Sequence, residues 1–250
     1  MAQVPVGLQL YSVRKDCERD LAGTLRQVAQ MGYAGVEFAG YHGVSAQELR
    51  RMLDDLGLRC AGSHVPFSAL GEGELEKTAE FNRTLGNRYL ICPSLPAEYR
   101  ETADGWKRAA EALSRAAEGL RSAGLRVGYH NHSIEFRPLG GTTPWQIMLR
   151  ETSPEVVLQL DTGNAMHGGA DPVALLEECA GRALTVHLKE YSSTNEKALI
   201  GEGEVDWERV FSLCEGGGRT EWYIVEQETY AYEPLECVRR CLENLRRMGK

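Results

Sequence analysis

Residues 102–131 read TADGWKRAAEALSRAAEGLRSAGLRVGYHN, a helix period running directly into a strand. Ala109, Leu113, Ala116, Ala117 and Leu120 recur at helical spacing on one face, with Lys107, Arg108, Glu111 and Arg115 elsewhere. Gly124 stands where that helix should stop, and 125–131 (LRVGYHN) is a short apolar run ending in polar residues. Working outward in both directions, the same unit repeats. Further strands are predicted at 6–11 (VGLQLY), 35–39 (GVEFA), 58–64 (LRCAGSH), 88–93 (RYLICP), 156–161 (VVLQLD), 184–190 (LTVHLKE) and 222–227 (WYIVEQ). Start signals agree: Ser45-Ala46-Gln47-Glu48 reads as a capping box, and Asp171-Pro172 places a cap before a first-turn proline. Gly32 and Gly57 mark two more helix ends. Strict alternation implies a parallel sheet, and no G-x-G-x-x-G or P-loop supports an open nucleotide-binding sheet. The reading is an α/β chain forming a single (β/α)8 barrel over residues 1–250, a normal length for that fold.

Composition narrows the function classes. The chain is 42% hydrophobic and 26% charged, with a formal net charge of -8. An acidic total argues against a nucleic-acid partner, which needs a basic face. Seven cysteines are scattered without a Cys-x-x-Cys pair, so free thiols are expected rather than a disulfide framework or zinc ribbon. Met1-Ala2-Gln3-Val4-Pro5 runs straight into the first strand, and Arg14, Lys15 and Asp16 interrupt any signal-peptide core. No apolar run reaches the ~20 residues a bilayer span needs. These features predict a cytoplasmic protein without a membrane partner. The oligomeric state, homo-oligomer included, is left open.

In a parallel barrel the C-terminal ends of the strands share one face, and chemistry collects there. The predicted strand ends carry Gln9 and Tyr11, Glu37, His64, His130 with Asn131 and His132, Gln159 and Asp161, His187 with Lys189 and Glu190, then Glu226 and Glu228, with Glu135 following the fifth strand. Of six histidines, all but His42 are expected at or just beyond a strand end. Residues two apart share a strand face, so His130 with His132, Gln159 with Asp161, and His187 with Lys189 can point into the mouth. Asp161, His187 and Glu226 come from three consecutive strands. With one ligand from the fifth they make an oxygen/nitrogen site for one divalent ion, Mn2+, Mg2+, Co2+, Fe2+ or Zn2+, better suited to the first four than to structural zinc. A lone His or Glu at a strand end is more often capped or solvated than a ligand; convergence from adjacent strands is what carries the reading. Glu37 and His64 are read equally as supporting hydrogen-bonded groups, Glu190 and Glu228 as solvated or loop-bound. Trp106, Trp145, Trp207 and Trp222 are read as packing.

VGLQLYSVR (6–14), GYAGVEFAG (32–40), YHNHSIEF (129–136), LQLDTGNAMHGG (158–169), VHLKEY (186–191) and IVEQE (224–228) resemble the sugar phosphate isomerase/epimerase family of xylose isomerase-like TIM barrels. The resemblance spans nearly the whole chain and is specific for the superfamily, not for one reaction. It implies a metal held by Glu, Asp, His and Glu from strands five to eight. Asp161, His187 and Glu226 match; the fifth strand offers His130-Asn131-His132 instead of the usual Glu-Asn. Glu135 is the favoured fourth ligand, because a second carboxylate preserves charge balance, with His130 the alternative.

The activity so implied is isomerisation or epimerisation of a keto-sugar or related polyol, the metal stabilising an enediolate. Family 3-epimerases exchange the proton between two glutamates; here Glu226 is one partner, and His130, His132 or Glu135 the other. A histidine opposite suits loss of a β-oxygen at least as well, so a lyase or dehydratase is the alternative. Gln9, Tyr11, Glu37, His64, Gln159 and Lys189 are expected to contact substrate. An endonuclease IV-like repair enzyme would need more metal ligands and a DNA-binding face, and a non-catalytic sugar sensor would keep the ligands without turnover. Gly201-Glu202-Gly203 reads as a turn rather than a phosphate loop.

Overall fold

The computed structural model describes residues 3–179, 181–217 and 219–250, so Met1 and Ala2 of the N-terminal reading lie outside the described residues. Eight parallel strands close in sequence order into a barrel: β1 Val6–Gln9, β2 Gly35–Ala39, β3 Arg59–His64, β4 Tyr89–Cys92, β5 Arg126–His130, β6 Val157–Asp161, β7 Thr185–Leu188 and β8 Trp222–Val225. All eight lie where the sequence places them. Most stop one or two residues early, because the chain turns once it leaves the barrel wall. After β1 it enters a 3-10 turn, Leu10–Val13, capped by the Gln9 side chain accepting from Tyr11 N at 3.0 Å.

The outer layer follows the sequence signals. The helix predicted from 102 runs Ala103–Arg121, capped by Thr102, and buries every apolar residue assigned to its face. Ser45 and Asp171 cap Ala46–Leu56 and Pro172–Glu178 through their side chains, and Gly32 and Gly57 take left-handed conformations at helix ends. Among the described residues no helix is long and apolar enough to cross a membrane. All seven cysteines are free, and burial pushes Cys17, Cys60, Cys92, Cys179 and Cys241 up to about 12.

Strand alternation sorts the barrel into layers. Leu8, Val36, Leu90, Val127, Tyr129, Leu158, Leu160, Val186 and Val225 join the core between barrel and helices. Inside, Ala61, Tyr89, Ile91, Val157, Trp222 and Ile224 form a separate apolar plug at the N-terminal end. Glycine is required there: a Cβ on Gly35 would meet Arg59 O at 2.4 Å and the Trp222 ring at 2.9 Å. The plug fills that end of the barrel with apolar side chains and leaves the polar strand-end residues at the other. The four tryptophans are buried, as their packing role predicts.

The loop after β7 is tied down by Glu190, whose carboxylate accepts from Tyr191 N (2.9 Å), Gly201 N (2.7 Å), Val205 N (3.2 Å) and Trp207 Nε1 (2.8 Å). This is loop binding, not ligand contact. Glu190→Ala leaves four donors with no acceptor, each costing about 1–3 kcal/mol if buried and unsatisfied. Allowing for water reaching some of them, urea unfolding should show a loss of about 3 kcal/mol; unchanged stability would mean that the carboxylate does not secure this loop.

Candidate metal and catalytic site

Above the apolar plug the inward positions turn polar: Gln9 on β1, Glu37 on β2, His64 on β3, His130 on β5, Gln159 and Asp161 on β6, His187 on β7, and Glu226 just past β8. Register sets the contacts, with Gln9 beside Glu37, His130 beside Gln159, and Asp161 beside His187. Gln9, Glu37, Gln159, Asp161 and His187 are wholly buried. The region is therefore low in dielectric, and unpaired charge there is costly.

His187 lies between two carboxylates. Its Nδ1 is 2.5 Å from Glu226 Oε2, and its Nε2 is 2.6 Å from Glu37 Oε2. Burial alone would depress this imidazole, but Glu37 and Glu226 raise it to about 10. Burial likewise acts to raise Glu37, yet facing His64 and His187 hold it well below the carboxylate range. Asp161 is pushed up to about 7, first by burial. Its Oδ1 accepts from Asn164 N at 2.7 Å, while the buried Oδ2 has no hydrogen-bond partner among the described residues. Glu226, near Lys189 and His187, is held well below its ordinary value despite burial. His130 is driven well below neutrality by burial, with His187 and His64 adding to the effect.

One ligand atom each from His130, Asp161, His187 and Glu226 falls within 4.8 Å of the others. Two imidazoles, two carboxylates and no thiolate suit a divalent cation, and the unpartnered Asp161 oxygen is the kind of group a cation satisfies. The residues fit such an ion.

Glu135 is not in this cluster, a correction to the favoured reading. Its Oε1 accepts from Tyr129 OH at 2.6 Å and its Oε2 from His132 N at 2.8 Å. The cause is strand phase: Tyr129 is one residue from His130, so it faces the helix layer, where its ring meets Trp106 edge-on at 6.0 Å. The 3-10 turn Ile134–Phe136 brings Glu135 to that phenol, away from the barrel axis. His130 takes the fifth-strand place.

The remaining expected residues divide. His132 is half-buried, its ring edge-on to His130 at 5.0 Å, and burial lowers it. Lys189 lies 3.6 Å from Glu226 Oε1, donates to Asn164 Oδ1 at 3.3 Å and pairs closely with Glu228. Tyr11 is 43% exposed in the turn after β1, its ring facing the Arg14 guanidinium at 4.3 Å; it does not point down into the cluster with Gln9. His167 is not at a strand end either: it closes the short helix Thr162–His167 and meets Tyr191 edge-on at 4.8 Å.

Some supporting roles were missed. Asn131 Oδ1 accepts from Asp161 N at 2.8 Å, locking the end of β6 to β5. Asp161 itself caps the helix Thr162–His167, its Oδ1 accepting from Asn164 N, a contact detectable in the Asp161-Thr162-Gly163-Asn164 spacing. Gly62 matters because a Cβ there would lie 2.5 Å from Glu37 Oε1. The register shift between Val36 and Glu37 creates that juxtaposition, and no sequence signal announced it.

Residues 25–248 match the family described as xylose isomerase-like TIM barrel. The chain belongs to that family. It is similar to an inosose dehydratase of Geobacillus kaustophilus, 25% identical over 88% of this chain and 87% of the relative. It is also similar to the rhizopine catabolism protein MocC of Rhizobium meliloti, 26% identical over 90% and 80%. Among solved structures, a sugar phosphate isomerase/epimerase from Parabacteroides distasonis superposes with a TM-score of 0.85 at 26% identity, covering 98% of this chain and 94% of that one. The resemblance read from the sequence therefore holds at the level of family and fold.

Proposed function

We propose that this member of the xylose isomerase-like family is a divalent-metal-dependent lyase that removes water, or another β-oxygen substituent, from a keto-polyol of the inosose type. Its class is that of the sugar isomerase/epimerase and dehydratase enzymes it resembles. The observation that carries the reaction type is His130 standing where a second carboxylate would be needed for two-glutamate proton exchange, with Glu135 bonded outside the barrel. The similarity to an inosose dehydratase points the same way.

His130, Asp161, His187 and Glu226 would hold the ion. When bound, it supplies a Lewis acid that polarises the substrate ketone and so acidifies the adjacent C–H. Glu226, kept anionic beside Lys189, accepts that proton. The C–H electron pair becomes the new carbon–carbon double bond as the β-carbon–oxygen bond breaks. The departing hydroxide takes a proton from His132 at the mouth and leaves as water. No oxidant or reductant is required. Lys189 offers positive charge to substrate oxygens, and the apolar cluster around Trp222 and Ile224 lies beneath the polar residues.

Incubation with an inosose in deuterated water, followed by NMR and mass spectrometry, tests the reaction. A product lighter by one water supports the lyase. A product with no water lost, one mass unit heavier for deuterium at carbon, and with an inverted centre would establish the second reading, an epimerase, which the likeness to the isomerase/epimerase structure favours. Metal uptake should strengthen as pH rises from about 6 to 8, because ligands must shed protons to bind a cation and Asp161 and His187 are raised to about 7 and about 10. Competition with a chromogenic chelator measures this; pH-independent affinity would contradict it.

A further inference from the structure

Glu37 is wholly buried on β2, beneath the four candidate ligands, and every contact to its carboxylate comes from a donor on another strand. Oε2 receives Gln9 Nε2 at 2.7 Å, His187 Nε2 at 2.6 Å and His64 Nε2 at 3.1 Å. Oε1 receives Gln159 Nε2 at 2.9 Å. These bonds determine hydrogen positions. A carboxylate only accepts, so the Gln159 group facing it must be the NH2, which also reaches Thr185 Oγ1 at 2.9 Å. The Gln159 carbonyl then faces the histidines, 2.9 Å from His64 Nε2 and 3.1 Å from His130 Nδ1. Both of those nitrogens must carry hydrogen to bond it.

Two consequences meet at the cation cluster. Without a cation, His187 donates from both nitrogens, Nε2 to Glu37 and Nδ1 to Glu226 at 2.5 Å; with Glu37 holding the Nε2 hydrogen, it is Nδ1, 4.0 Å from Asp161 Oδ2, that would give up its proton and offer a lone pair to a cation. His130, donating from Nδ1 to Gln159, is left with Nε2. One buried carboxylate thus sets the tautomer of both imidazoles, directly at His187 and through the Gln159 amide at His130. We propose that Glu37 is a positioning residue for the cation site, holding both histidines in the ligand-ready tautomer, which is the supporting role among its two sequence readings and not the substrate contact. The inference rests on the metal reading of the site. Its physical basis is general: an outer carboxylate that takes a ligating histidine's second N–H fixes the ring and raises its basicity.

Gly62 supplies an independent handle. Gly62→Ala leaves all charges in place, but its Cβ would sit 2.5 Å from Glu37 Oε1, and its three nearest atoms all belong to that side chain. The test compares wild type, Glu37→Gln and Gly62→Ala for Mn2+ affinity, read as free Mn2+ by electron paramagnetic resonance. In parallel, 15N-histidine NMR of the Zn2+-loaded proteins reads the tautomers. Wild type should bind one equivalent of Mn2+, with one imidazole metallated at Nδ1 and another at Nε2. Glu37→Gln should bind ~10–100-fold more weakly and lose the defined tautomer pattern, and Gly62→Ala should shift the same way even if Glu37→Gln folds poorly. Wild-type affinity and tautomers in both variants would overturn the proposal, as would a rise in KM with metal affinity intact. Failure of wild type itself to bind Mn2+ would instead bring down the metal reading, so the two failures are distinguishable.

Discussion

Asp161→Asn is expected to abolish turnover, by ~10³-fold or more, while leaving the chelator-treated protein at least as resistant to unfolding as wild type. The loss follows from removing an anionic ligand: a Lewis acid contributes several kcal/mol to stabilising charge at a reacting carbonyl, and each 1.36 kcal/mol is about tenfold in rate. The retained stability follows from the side chain's two oxygens. Oδ1 accepts from Asn164 N, a bond an amide oxygen can also accept, while Oδ2 is buried without a hydrogen-bond partner among the described residues. Burying an unpaired charge costs stability, and burial raises this carboxyl to about 7. A raised carboxylate pKa means the cost appears as pH rises from the ordinary value of 3.8 through about 7 and is absent below it. The asparagine variant should therefore match wild type near pH 4 and exceed it near pH 8. Chemical denaturation of the chelated proteins at both pH values, with metal content and turnover on the same samples, decides this. Full metal content with normal activity would refute the site.

Glu226→Gln is expected to lower kcat by ~10²–10⁴-fold, the usual contribution of a positioned general base. Metal binding should weaken as well, since one ligand loses its charge, so turnover must be compared at saturating Mn2+. The distinguishing readout is exchange of the substrate's α-proton with solvent, which should vanish along with product formation. A variant that still exchanges the proton but forms no product would move the base elsewhere and leave Glu226 a ligand only. His132→Gln should give that second pattern, because on this account it supplies the proton to the leaving oxygen and does not take one from carbon.

The fold was legible because each βα unit repeats one burial problem. Leu8, Val36, Val127 and Val186 alternate with inward residues, and alternation along a strand is visible in one dimension. The same rule placed His130, Gln159, Asp161 and His187 inward. Legibility ended where the chain leaves the strands. Tyr11 follows Gln9 by two residues and by alternation should share its face, but the 3-10 turn at Leu10–Val13 sends it outward. Glu135 was favoured on charge balance, which carries no direction; the phase of Tyr129 and the turn Ile134–Phe136 decide its direction. Gly62 was silent, since the space it provides for Glu37 exists only after a register shift between β2 and β3. Glu190 was only half legible: a solvated or loop-bound carboxylate was expected, but not the four donors converging on it.

The central claim is that His130, Asp161, His187 and Glu226 close around one divalent ion while Glu135 stays outside the barrel mouth. Anomalous diffraction from a crystal grown with Mn2+ tests it most directly. One anomalous peak is expected, bonded to His130 Nε2, His187 Nδ1 and the carboxylates of Asp161 and Glu226, with Glu135 still on Tyr129. A peak ligated by Glu135, or no peak among these four side chains at saturating manganese, would contradict it.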